Sequence, residues 1–65
     1  MKFNELLKGK IYTDKDGVNA YMFVKMRNEN LATFLVCEYD EEKGDYIATA
    51  EEVYLTANEI KNLVF

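Results

Sequence analysis

Val18-Asn19-Ala20-Tyr21-Met22-Phe23-Val24-Lys25-Met26-Arg27 is the stretch on which the fold turns. Its residues alternate cleanly. Val18, Ala20, Met22, Val24 and Met26 fall on one side, and Asn19, Tyr21, Phe23, Lys25 and Arg27 on the other. A period of two is what an extended strand imposes on its side chains. Asn28-Glu29-Asn30 then reads as a three-residue turn, with Asn30 suited to a left-handed backbone site. Leu31 to Asp40 returns as a second strand, apolar on both faces until Glu38. Pairing Arg27 with Leu31 sets Met22 opposite Val36 and Val24 opposite Phe34 on one face. The other face then holds Phe23 beside Leu35 and Tyr21 beside Cys37. A slip of one residue exchanges the two sets, so turn chemistry alone carries this register. In either register the hairpin is apolar on two sides and needs covering twice, or covering once and binding once.

Further from this hairpin the signals are shorter. Upstream, Lys10-Ile11-Tyr12-Thr13 is β-rich and leads into Asp14-Lys15-Asp16-Gly17, an Asp-Gly hairpin signal. Phe3, Leu6 and Leu7 are spaced at i, i+3, i+4 and predict a short helix over roughly residues 3–8, stopped by Gly9. Downstream, the loop Asp40-Glu41-Glu42-Lys43-Gly44-Asp45 precedes a strand at Tyr46-Ile47-Ala48-Thr49-Ala50. Glu51-Glu52 breaks the alternation before Val53-Tyr54-Leu55, which predicts a bulge or bend. Thr56-Ala57-Asn58-Glu59 is a capping box, opening a terminal helix with Ile60, Leu63 and Val64 on one side. The order is helix, four or five strands, helix. The expected fold class is α+β, mostly β: one small domain over residues 1–65, with an antiparallel sheet and short N- and C-terminal helices. An SH3-like barrel ranks slightly ahead of an open meander, because closure would remove sheet edges that no proline protects.

The chain has 65 residues, no histidine, no proline, no tryptophan and one cysteine, with twelve acids against eight bases. Intramolecular disulfides are thereby excluded, as is a multi-cysteine zinc site. The usual general base near neutral pH is missing too. Cys37 has no imidazole to activate it and reads as a small buried hydrophobe. Asp14-Lys15-Asp16-Gly17 superficially suggests a calcium loop, yet its glycine falls at position four and the twelfth position is Lys25. The three glycines are too far apart to cradle a phosphate. The expectation is a non-enzyme with no catalytic residues, no metal and no cofactor. No apolar run approaches the ~18 residues of a membrane span, and the amino end has no signal-peptide pattern. The absence of disulfide staples adds to a cytoplasmic expectation.

Two features are candidates for function. From Glu38 to Glu52 the chain carries Glu38, Asp40, Glu41, Glu42, Asp45, Glu51 and Glu52 against Lys43 alone, a local charge of −6 within a net charge of −4. Such a surface attracts a basic protein partner and repels nucleic acid. The plainer reading is a solvated, solubilising face. The second feature is Tyr21, Phe23, Lys25 and Arg27, joined in one version by Tyr12 and Tyr39: rings to stack bases and cations for phosphates. Its plainer reading places Tyr21 and Phe23 under a terminal helix, with the bases at the rim.

The leading expectation is a small acidic protein-binding module, an inhibitor or adaptor, docking on a basic surface with exposed tyrosines such as Tyr46 or Tyr54 as anchors. Its size and acidity resemble in style the accessory proteins of phages and mobile elements, without a motif that ties it to a family. A single-stranded nucleic-acid binder is the alternative, although the net charge opposes nucleic acid as a partner. A self-associating structural subunit, a homodimer built on the doubly apolar hairpin, is third.

Overall fold

The computed structural model describes residues 1–64. The elements are a single 3-10 turn at Phe3–Glu5, strand β1 at Ile11–Asp14, β2 at Ala20–Asn28, β3 at Leu31–Asp40, β4 at Asp45–Leu55, helix α1 at Ala57–Ile60 and strand β5 at Leu63–Val64. They form one antiparallel five-stranded sheet in the order β4-β3-β2-β1-β5. The protein is mostly β, as the alternation predicts.

Turn chemistry explains each hairpin. Between β1 and β2 the Asp14 carboxylate accepts from the N–H groups of Val18 (2.9 Å) and Asn19 (3.3 Å) and from the Asn19 side-chain amide (2.9 Å). Gly17 supplies the positive φ of 72° that this turn requires. Those hydrogen bonds favour the ionised Asp14, the Asn19 amide most of all, and lower its pKa below the usual 3.8. Between β3 and β4, the Asp40 carboxylate accepts from the N–H groups of Glu42 and Lys43. The Gly44 N–H meanwhile donates to the Asp40 carbonyl at 2.8 Å.

One sheet face holds the core. Tyr12, Phe23, Ala32, Phe34 and Leu55 pack there against Leu6, Ile60 and Leu63. Phe34 lies opposite Phe23 on one side and Val53 on the other. The Phe23 and Phe34 rings are 5.5 Å apart between centroids, and the Tyr21 ring meets Phe34 edge-on at 6.2 Å. Aromatic pairs in such tilted arrangements contribute about 0.5–1.5 kcal/mol beyond area burial. Tyr12 is fully buried, and its hydroxyl accepts from the Leu7 N–H at 2.8 Å, pinning the N-terminal segment to the sheet.

Several expectations need correction. The sheet is open and the SH3-like barrel is not formed: β4 and β5 lie at opposite edges rather than pairing. Closure would need a long free edge on β1, but the two residues of β5 take its C-terminal half through Thr13–Val64 and Asp14–Leu63. The terminal segments put Leu6, Ile60 and Leu63 on the face that the facing strands of a barrel would otherwise fill. The resulting body measures 37 × 23 × 16 Å.

Both helices are also shorter than expected. The N-terminal one is a 3-10 turn, and α1 stops at Ile60 after one capped turn. Leu63 and Val64, expected on that helix, are strand β5 instead. An extended Val64 supplies backbone partners to the otherwise bare edge of β1, which satisfies more polar groups than a second helical turn in solvent.

The central register shifts twice, between Phe23 and Lys25 and between Met26 and Asn28. The expected offset survives only at Lys25–Thr33 and Met26–Ala32; beyond the bulge at Val24, Met22 lies opposite Leu35, Phe23 opposite Phe34 and Tyr21 opposite Val36. Asn28 pairs with Leu31, leaving the two-residue turn Glu29-Asn30. Asn30 is not left-handed, since among the described residues only glycines have positive φ. The Asn30 N–H donates instead to the Asn28 side-chain oxygen at 2.8 Å, an Asx turn.

Candidate functional site

The interruption expected at Glu51-Glu52 between two short strands is a bulge at Thr49 to Glu51 inside one continuous strand β4, with Glu52 already back in the ladder. Leu35 faces Glu52 and Cys37 faces Ala48, so Thr49, Ala50 and Glu51 together span the single residue Val36. The Thr49 hydroxyl donates to the Val36 carbonyl at 2.8 Å and accepts from the Glu51 N–H at 3.2 Å, which holds the bulge shut. Its consequence is positional, because a bulge bends its strand and strengthens the local twist.

Beyond the bulge, β3 and β4 continue through Glu38–Ile47, Tyr39–Tyr46 and Asp40–Asp45. The register of β2 on β3 ends at Ala20–Cys37, so this last portion has no third strand beside it. It is a two-stranded arm. Glu38, Asp40, Glu41, Glu42 and Asp45 all lie on it, and Lys43 is its single base. One side presents Glu38, Asp40, Glu41 and Glu42 around Ile47 and Thr49, lining an open concavity of about 430 Å³. Ile47 is 37% exposed there. On the other side, Tyr39 is 57% exposed and meets Tyr46 edge-on at 5.3 Å. The arm thus combines carboxylates with an exposed Tyr39, whereas Tyr46, expected as an exposed anchor, is half-buried beside it.

The seven predicted acids do not form one uniform surface. Five are on the arm, and Glu51 is in the bulge. Glu52 belongs elsewhere: it lies opposite Leu35 and accepts from the Tyr54 hydroxyl at 3.3 Å.

Nor do Tyr21, Phe23, Lys25 and Arg27 share a face. Phe23 is paired with Phe34 and Lys25 with Thr33, adjacent residues of β3 that point to opposite faces. Tyr21 and Phe23 therefore pack at the core, while Lys25 and Arg27 are exposed on the other side. Desolvation raises the Tyr21 pKa, with Asp14 and Glu59 adding to it. Tyr12 is buried and cannot join a binding surface, whereas Tyr39 sits on the arm. Arg27 finds a different ring: its guanidinium lies 4.4 Å from the centroid of Tyr54. Lys25, Arg27, Thr33, Glu52 and Tyr54 line a second open concavity, of about 440 Å³. Sequence reasoning missed this grouping because the bulge at Val24 is silent in a pattern where that valine suits either face.

Cys37 is buried, and desolvation raises its pKa, which disfavours the thiolate. Among the described residues no group of three or more acidic or cysteine side chains is arranged to hold a metal ion. None of the described helices is long and apolar enough to cross a membrane. No protein-family model matches the chain, and neither a curated protein nor a solved structure matches it.

Proposed function

We propose that this protein is a non-catalytic protein-binding module, an inhibitor or adaptor in kind, whose β3–β4 arm docks on a basic surface of a partner protein. The observation that carries this reading is the arm itself. Five carboxylates and a single lysine are held on a two-stranded projection that also exposes Tyr39 and Ile47. Large aromatics supply contact area at low conformational cost, and surrounding carboxylates steer the approach of a cationic partner. Position supports this division of labour: the core rings Tyr12, Phe23 and Phe34 lie under the terminal segments, while Tyr39 and Tyr46 have no role in that core.

The test begins with tagged protein used for capture in its native host, followed by titration of the purified partner. Reversing Glu41, Glu42 and Asp45 to lysine is expected to abolish capture with the fold intact by circular dichroism. Tyr39→Ala is expected to weaken the purified complex at least tenfold. The complex should also weaken as salt rises from 50 to about 300 mM, because surface charges are screened over the Debye length. A partner bound equally well by the triple variant would reject the proposal.

A further inference from the structure

Away from the arm, on the opposite sheet face from the core, Lys25, Thr33 and Tyr54 form one row across β2, β3 and β4. Neighbours in such a row stand about 4.8 Å apart. Thr33 is only 3% exposed. Its hydroxyl makes no hydrogen bond to the chain among the described residues. Among the described residues no buried side-chain oxygen or nitrogen lacks a hydrogen-bond partner, so the unpaired Thr33 oxygen is not sealed and opens onto the concavity it lines. A nearly buried, unpartnered donor thus sits at the base of this depression.

Two cations flank it. Among the described residues neither Lys25 nor Arg27 is in an ion pair. Arg27 lies on the Tyr54 ring, 4.4 Å from its centroid, which fixes the plane of the guanidinium and leaves its N–H edge available. The Tyr54 hydroxyl is turned to Glu52 at 3.3 Å, which steadies the ring.

We propose that this concavity is an oxyanion site for the phosphoryl group of a small phosphate monoester. Lys25, Arg27 and the Thr33 hydroxyl are its donors. Three donors from two strands line this one depression, and a tetrahedral anion has oxygens enough to accept from all three. The ammonium contributes a point charge, the guanidinium a two-pronged contact, and the hydroxyl a short neutral bond. Glu52 lines the same depression, and its charge opposes the anion. Removing that charge is therefore expected to strengthen binding.

The experiment is a titration of the full chain, followed by amide NMR shifts at constant ionic strength, with inorganic phosphate and glycerol phosphate as probes and chloride as the control. Saturable shifts centred on Lys25, Arg27, Thr33 and Tyr54 are expected, at least as tight for glycerol phosphate as for inorganic phosphate. Lys25→Gln and Arg27→Gln should each weaken binding about tenfold. Thr33→Val keeps the strand and volume, and should weaken it severalfold. Glu52→Gln should tighten it, and Lys8→Gln, remote in the N-terminal segment, should leave it unchanged. Shifts that do not saturate, or that persist undiminished in Arg27→Gln, overturn the site. A single-stranded oligonucleotide that binds tighter than glycerol phosphate at 150 mM salt overturns the small-ligand assignment.

Discussion

Replacing Tyr12 with phenylalanine removes one oxygen from the centre of the molecule and leaves the ring where it is. That oxygen accepts the Leu7 N–H at 2.8 Å in a partly buried setting, and Tyr12 itself has no exposed surface. The loss lies between two limits. A neutral hydrogen bond contributes about 0.5–1.5 kcal/mol net, and a donor left without a partner costs about 1–3 kcal/mol if it stays dry. Leu7 as a residue is exposed, so its freed amide needs only a small local shift to reach water, and the lower part of that range applies. The expected destabilisation is therefore about 1 kcal/mol. For a domain of this length that is a fall in Tm of roughly 4–8 °C. The effect is also localised. Residues 1–9 are tied to the sheet through this bond and through the Gly9 N–H, which donates to the Phe23 carbonyl at 2.9 Å. Hydrogen exchange at Leu7 should accelerate more than exchange at Phe34, since local opening needs less free energy than global unfolding. Thermal unfolding by circular dichroism, paired with amide exchange by NMR, reads both. An unchanged Tm together with unchanged Leu7 exchange would refute the assignment of this hydroxyl as the pin of the N-terminal segment.

Two more predictions concern the turns and caps. Thr56→Ala removes the oxygen that accepts the Glu59 N–H at 3.3 Å and should lower stability by about 1 kcal/mol in urea titration, with Thr56→Ser retaining most of it. Asp14 has a lowered folded pKa, so its contribution is full above its ordinary value of 3.8 and is lost as pH falls through the lower folded value. The stability–pH slope measured by urea unfolding below about pH 4 should accordingly flatten in Asp14→Asn, and an identical slope in the variant would count against the turn carboxylate.

Much of the fold was legible in residue order. The strand read from the alternation at Val18–Arg27 is present from Ala20 onward, and the Asp-Gly turn, the loop before Asp45 and the capping box at Thr56 also correspond to elements of the structure. Each rests on neighbours close in sequence, where steric preference and local hydrogen bonding decide. The break at Glu51-Glu52 was legible for the same reason: two charges interrupt an apolar rhythm. The bulge at Val24 was not, because a valine fits either face and only Phe23 stacking on Phe34 selects one. That single inserted residue divides the predicted aromatic and basic face, sending Tyr21 and Phe23 inward and Lys25 and Arg27 outward.

By itself the amino-acid order determined that the segments of β1 to β4 extend, that turns separate them, and that most of the acid lies between Glu38 and Glu52. Tertiary structure alone decided that the sheet stays open, that Leu63–Val64 becomes its fifth strand, and that Arg27 meets Tyr54 from two strands away. The division has a physical cause. Backbone propensity and turn geometry act over a few residues, whereas edge pairing, bulge placement and ring stacking depend on which distant surfaces come together to exclude water.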